Sequence, residues 1–350
     1  MLMTVDHSGG VFDAAHFHGD SGARWVVGTA LPTGEFLTRW VTHLCAPVFV
    51  LLAGVSLALS VEKRKGQPGQ TRFIVTRGLF IAALDPLWMS LGFTNYERII
   101  AAVLYALGLS MVCMAYLRRF SSTVLLTAAI AIQLFGELST AWKPELQPLK
   151  ALWSYLFVGG PTFWKATCVY PLVPWLSVMM LGWVVGRWWL EPRSNAQRAR
   201  TFALAGSSLL GLFALVRGLN GYGNWNLFRE SNELLQWLHV AKYPPSLAYT
   251  TLELGIGFLL LASFTALDDS TKPRVAFAPL MLFGSTAFFF YIPHVQLMAA
   301  TQALFGFDKN AYGLEKTWLC AAMVLALLAW PCWRYRQYKS AHPDGWTRYV

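Results

Sequence analysis

The sequence predicts an all-α fold, a polytopic bundle of bilayer-spanning helices. Of its 350 residues, 55% are hydrophobic and only 13% charged, too little polar surface for a water-solvated domain of this size. Apolar runs of about 20 residues recur, the length a helix needs to cross roughly 30 Å of hydrocarbon. The ten-residue alternating segments of a transmembrane barrel are not apparent.

Apolar runs read against their polar flanks give nine spans, at 36–61, 72–93, 98–117, 120–141, 166–190, 198–217, 246–266, 276–303 and 316–333. The segments between them differ in charge by turns. Residues 62–77, 118–119, 187–200, 268–274 and 334–350 hold 17 of the 28 Lys and Arg residues but only 5 of the 18 Asp and Glu. That side carries a net charge of +12 and the other −2, so the positive-inside rule makes it cytoplasmic, together with the tail 334–350. The external segments are then the long ones, 6–35, 142–165 and 218–245.

The first residues, 1–5, are apolar but too short to span, and they lack the basic start and long apolar core of a signal peptide. Because 6–35 must be external, they read as the outer end of a helix that rises from the cytoplasm and begins before Met1. The design is then one of ten helices with a truncated first, in a single domain over 1–350.

Ionisable groups at bilayer depth cost roughly 2.5–3.5 kcal/mol each and need a reason. Arg39 and His43 are four residues apart and project from one helix face. Spacing alone allows His43 to be a hydrogen-bonded packing residue or to line a cavity. His294 follows Pro293, which frees a backbone carbonyl and opens the helix locally. Asp6 and His7 sit beside Ser8-Gly9-Gly10, a breaker that allows a substrate close approach. Asp85-Pro86 reads as a kink with Trp88 as an interfacial anchor. Lys242-Tyr243-Pro244-Pro245-Ser246 precedes a span, where Lys242 is suited to an anion or to Glu253. Arg77, Arg118, Arg119 and Arg187 flank spans on the basic side as membrane anchors or as a phosphate-binding set, since guanidinium forks match phosphate oxygens.

Several chemistries lose ground. The five cysteines, Cys45, Cys113, Cys168, Cys320 and Cys332, lie in or beside apolar runs and read as small buried hydrophobes. No local CxxC or HxxxH spacing supports zinc, so no metal is expected. Walker A, GxSxG and strand-borne GxGxxG patterns do not occur. The net charge of +10 follows from topology, and no nucleic-acid partner is expected.

Four segments carry a family likeness: Thr38 through Gly54, Tyr170 through Trp175, Lys242 through Ser246 and Phe289 through His294. In them the chain resembles the bacterial membrane proteins related to the catalytic domain of heparan-α-glucosaminide N-acetyltransferase, within the transmembrane acyltransferase superfamily. The resemblance implies a multi-pass protein of the cytoplasmic (inner) membrane that moves an acetyl or acyl group from cytoplasmic acyl-CoA to a sugar hydroxyl or amine at the external side. It also implies a first helix bearing an arginine, ten residues and then a histidine. His7 takes the place of that histidine, and the arginine falls before Met1.

On this reading His7 is the general base, with Asp6 orienting or charge-stabilising it, and either a ternary complex or an acyl-histidine carries the transfer. Arg39, His43, Lys242, Tyr243 and His294 hold the substrate, and Arg77, Arg118, Arg119 and Arg187 hold the acyl-CoA. The partners are the bilayer, acyl-CoA and a sugar or glycan acceptor, and a homo-oligomer is compatible. The competing readings are a secondary transporter or flippase using the intramembrane histidines, and a non-catalytic relative that assembles with another enzyme.

Overall fold

The computed structural model describes residues 1–16, 18–142, 144–267, 277–306, 308, 311–342, 345 and 347. The basic Lys143, Lys272, Arg274, Lys309 and Arg348 and the acidic Asp268, Asp269 and Asp344, all used in the charge count, lie outside the described residues, as does the first residue of the 276–303 span.

Fifteen α-helices are resolved among the described residues. Helix α1 (Leu2–Phe12) is followed by α2 (Thr33–His43) and α3 (Cys45–Lys63), which together form one apolar run of 31 residues. Then come α4 (Gln70–Leu84), a π-helical turn (Asp85–Met89), α5 (Ser90–Thr94), α6 (Val103–Leu117), α7 (Ser122–Phe135) and α8 (Gln147–Trp153). The second half holds α9 (Leu172–Trp189), α10 (Asn195–Leu219), α11 (Leu234–Leu238), α12 (Leu247–Leu267), α13 (Ala278–Ser285), α14 (Ala287–Phe305) and α15 (Leu314–Ala341).

Six helical stretches are long and apolar enough to cross a membrane, and each matches a predicted span: Thr33–Lys63, Gln70–Thr94, Ser122–Ala141, Asn195–Leu219, Leu247–Leu267 and Leu314–Ala341. A seventh, at 276–303, is a pair, α13 and α14, bent by 88°. The predicted spans 98–117 and 166–190 become helices of 15 and 18 residues. Their first residues pair instead in a small sheet, β1 (Ile99–Ala101), β2 (Gly160–Pro161) and β3 (Ala166–Cys168), ordered β1-β3-β2. Ile99 faces Ala166 in parallel register, and Gly160 faces Cys168 antiparallel. Hydropathy alone does not separate a short apolar strand from the first turn of a helix.

Local chemistry fixes several boundaries. Ser194 and Gln197 close a reciprocal capping box at the start of α10. The Asp85-Pro86 pair is carried through as a π-helical turn rather than a break, and the buried Asp85 carboxylate accepts the backbone N–H groups of Ala102 and Tyr105, each at 2.7 Å. The residue that disrupts one helix therefore caps the next.

The helices approach closely where both surfaces are small. Gly182 and Gly186 of α9, four apart, lie against Leu51, Gly54 and Val55 of α3, and a Cβ at Gly182 would run into the Leu51 carbonyl. All five cysteines are free, with Cys168, Cys320 and Cys332 buried and Cys45 and Cys113 half-buried.

The loops sort to two ends as the charge count groups them. Lys65, Arg118, Arg187 and Leu190 share a small cavity at one end. At the other, Glu137 accepts the backbone N–H groups of Gly223 and Trp225, Asp20 O accepts Lys242 N, and Tyr312 O accepts Ala14 N. Arg217, wholly buried, organises the loop after α10 by donating to the carbonyls of Leu227, Gln236, Trp237 and His239 and to Asn224 Oδ1.

Candidate active site

Helix α1 continues through Ser8-Gly9-Gly10 to Phe12, so these residues are no breaker. Tertiary contacts outweigh their helix propensity. Ser8 Oγ donates to Thr317 O at 3.0 Å, and the His16 ring lies so close over Gly9 that a Cβ there would meet its Nδ1 at 2.7 Å. As neighbours in a helix, Asp6 and His7 diverge.

Asp6 turns toward α2. Its Oδ1 accepts from Arg39 Nη1 and lies 2.7 Å from Thr42 Oγ1. Arg39 Nε and Nη2 reach Asp20 Oδ2 at 3.0 and 2.8 Å, and Nη2 donates to the Tyr243 hydroxyl at 3.1 Å. His43 Nε2 lies 3.2 Å from the same Asp20 oxygen, and the Tyr249 hydroxyl donates to His43 O at 3.0 Å. One buried guanidinium thus joins two carboxylates, the geometry that lets an ion pair stand in a low dielectric. Burial opposes ionisation of Asp20, but Arg39 beside it and the hydrogen bond to His43 outweigh that and hold its carboxyl well below the usual carboxylate range.

The 242–246 turn clamps this network. Lys242 N and Tyr243 N donate to Asp20 O at 2.9 and 3.3 Å, Ser21 Oγ donates to Tyr243 O at 2.7 Å, and Lys242 is 2% exposed. Among the described residues no ion pair joins Lys242 to Glu253, and buried Glu253 Oε1 has no hydrogen-bond partner. Burial pushes the His16 and His239 rings of this end down to about 4.

His7 turns the other way, to α14. Its Nδ1 lies 2.7 Å from His294 Nε2, and His294 Nδ1 lies 2.6 Å from Tyr291 O. The two rings are nearly parallel, 16° apart, with Phe290 stacked on His294 and Phe93 edge-on to His7 at 4.9 Å. His7 and His294, 287 residues apart, therefore form one unit.

A cavity of about 1010 Å³ runs along α3 from the basic end toward the start of α1, and neither His7 nor His294 lines it. Arg64, Gln67, Arg72, Arg77, Tyr335 and Lys339 line its mouth, α3, α4 and the α13–α14 bend form apolar walls, and Met1, Met3, Leu44 and Cys45 line the inner end. From Arg64 to Cys45 along α3 is about 28 Å at ~1.5 Å per residue. Met3 precedes His7 by four residues on one face of α1, and Leu44 follows His43 directly.

Of the arginines expected to bind phosphate, only Arg77 lines this cavity. Arg118 donates to Gln70 Oε1, Thr71 Oγ1 and Ala115 O, and Arg187 donates to the Phe120 and Arg118 carbonyls, so both tie helix ends together. Arg119 is exposed and lines neither cavity. Asp20, Thr42, Arg64, Arg72 and Lys339 were not singled out from sequence. A loop carboxylate and basic span flanks carry no local signal that separates them from solvated neighbours. Among the described residues no group of three or more His, Cys, Asp or Glu side chains is placed to hold a metal.

The family profile described as heparan-alpha-glucosaminide N-acetyltransferase, catalytic, matches residues 15–216. The match takes in Asp20, Arg39, His43 and Arg77, while Asp6, His7, Lys242, Tyr243 and His294 fall outside it. No curated protein and no solved structure matches the chain.

Proposed function

The chain belongs to the heparan-alpha-glucosaminide N-acetyltransferase catalytic family, and from that premise we propose that it transfers an acyl group across the bilayer from cytoplasmic acyl-CoA to a sugar hydroxyl or amine at the opposite face. The observation that carries this reading is the long cavity with a basic mouth, ending one helical turn from His7.

In this reading the donor's phosphates meet Arg64, Arg72, Arg77 and Lys339, and its uncharged amide-bearing arm runs along α3. The thioester stops beside Met3, Leu44 and Cys45. The acceptor enters from the Arg39, Lys242 and Tyr243 side, where charged and hydroxyl groups suit a polyhydroxylated ligand, and His43 positions it from α2. His7 Nε2 takes the proton from the acceptor O–H or N–H as the acceptor heteroatom bonds to the acyl carbon. The carbon–sulfur bond then breaks, CoA leaves as the thiolate, and the proton on His7 passes to that sulfur. Asp6 acts at one remove, holding Arg39 rather than the imidazole.

The test is detergent-purified full chain with radiolabelled acetyl-CoA and an amino-sugar acceptor. We expect CoA release together with a labelled acceptor, and a loss of about 10²- to 10⁴-fold in kcat for His7→Ala. Near-normal turnover by that variant would sink the assignment. Solute uptake into vesicles with no CoA release would favour the transporter reading.

A further inference from the structure

We propose that His294 is the positioning residue that makes His7 a base, by fixing its tautomer through a carbonyl-anchored pair of imidazoles; this rests on the assignment of His7 above. The argument is one of hydrogen-bond accounting. The Tyr291 carbonyl only accepts, so the 2.6 Å contact requires the proton of His294 to sit on Nδ1. With both rings neutral, His294 Nε2 is then a lone pair, and the 2.7 Å contact requires His7 to donate from Nδ1. The remaining nitrogen, His7 Nε2, is left as an unprotonated lone pair, and no donor is bonded to it among the described residues. The opposite tautomer would place N–H where a proton acceptor is needed.

The surroundings hold this order in place. His294 is wholly buried, so water does not replace its partners. Its ring is fixed between Phe290 and His7, at centroid distances of 5.4 and 4.9 Å. The anchoring carbonyl lies three residues back on the same helix, so one rigid element sets both the carbonyl and the ring. The arrangement does for His7 what a buried carboxylate does for the histidine of a serine-protease triad, with a neutral anchor in place of a charged one. Asp6, the carboxylate next to His7 in sequence, is committed to Arg39 and Thr42 and takes no part in it.

The test joins kinetics with ¹⁵N-histidine spectra of the full chain, in which protonated and unprotonated ring nitrogens are resolved. Wild type is expected to show His7 protonated at Nδ1 alone. His294→Ala should mix the His7 tautomers and lower kcat by about 10²- to 10³-fold, with the KM for acetyl-CoA within about threefold. His294→Gln, whose amide oxygen accepts in place of Nε2, should restore the single tautomer and recover about tenfold of kcat. Size-exclusion profiles and acetyl-CoA binding identify a variant that has not folded, and the Gln variant then decides. A wild-type His7 protonated at Nε2, or an unchanged His7 spectrum in a folded His294 variant of normal kcat, would overturn the proposal. Full turnover by His7→Ala would instead overturn the reading on which it rests, whatever the spectra show.

Discussion

Replacing Asp20 by Asn tests whether the charge network at the head of α2 is held in a low dielectric. Asp20 is 2% exposed and accepts from Arg39 at 3.0 and 2.8 Å and from His43 at 3.2 Å. Asparagine keeps the shape and one acceptor oxygen but removes the charge. Bonds to charged groups contribute about 1.5–3 kcal/mol each, and removing one partner of a buried pair costs about 3–5 kcal/mol. Arg39 retains Asp6, so the lower end applies, about 3 kcal/mol. The assay is unfolding by SDS in mixed micelles at pH 8, 7 and 5. The folded carboxyl sits below its unfolded value of about 3.9, so its contribution is complete above that value and disappears only as pH falls further. The gap between wild type and Asp20→Asn should therefore stay constant from pH 8 to 5. A gap under about 1 kcal/mol, or one that halves between pH 7 and 5, would refute the reasoning.

Arg72→Gln and Lys339→Gln, at the cavity mouth, should each raise the KM for acyl-CoA about tenfold with kcat little changed, in a salt-dependent way, whereas Arg119→Gln should leave KM unchanged; initial rates at two ionic strengths decide. Gly182→Leu should force α9 away from α3 and destabilise by about 1–3 kcal/mol or more in the same SDS titration, because a side chain there meets the Leu51 backbone. Asp85→Ala should cost about 2 kcal/mol by stranding two backbone donors at the start of α6, and Asp85→Asn should recover part of it. Half-buried His16 and buried His239 take up protons at about 4 when folded and at about 6.5 when unfolded. Stability should thus be full above pH 6.5 and fall toward pH 4, and His239→Gln should flatten part of that fall in unfolding titrations across the range.

Much of the fold was legible because it depends on local quantities. Six of the nine expected spans are single long apolar helices and a seventh is the bent pair, since transfer to lipid is summed residue by residue along a helix. The starts of the 98–117 and 166–190 spans were misjudged for the same reason, because hydropathy carries no information on whether Ile99 and Ala166 pair as strands. Asp85-Pro86 was readable as structural, since proline removes a donor, whereas the capping of α6 by Asp85 shows only in the fold.

The site was legible only in part. Ionisable groups at bilayer depth are costly enough to flag Arg39, His43 and His294 from their places in apolar spans. Their partners were not: Asp20 looks like any loop carboxylate until α2 packs beside it, and the ring that His7 meets, His294, lies 287 residues away.

By itself, then, the sequence determined the solvent, the helices, the two-ended charge and the residues too costly to be incidental, because each follows from the free energy of a segment in water or lipid. The tertiary structure decided which ring His7 meets, which carboxylates hold Arg39 and where the long cavity ends. Those are properties of hydrogen-bond partners, and partners are chosen by packing between elements distant in the chain.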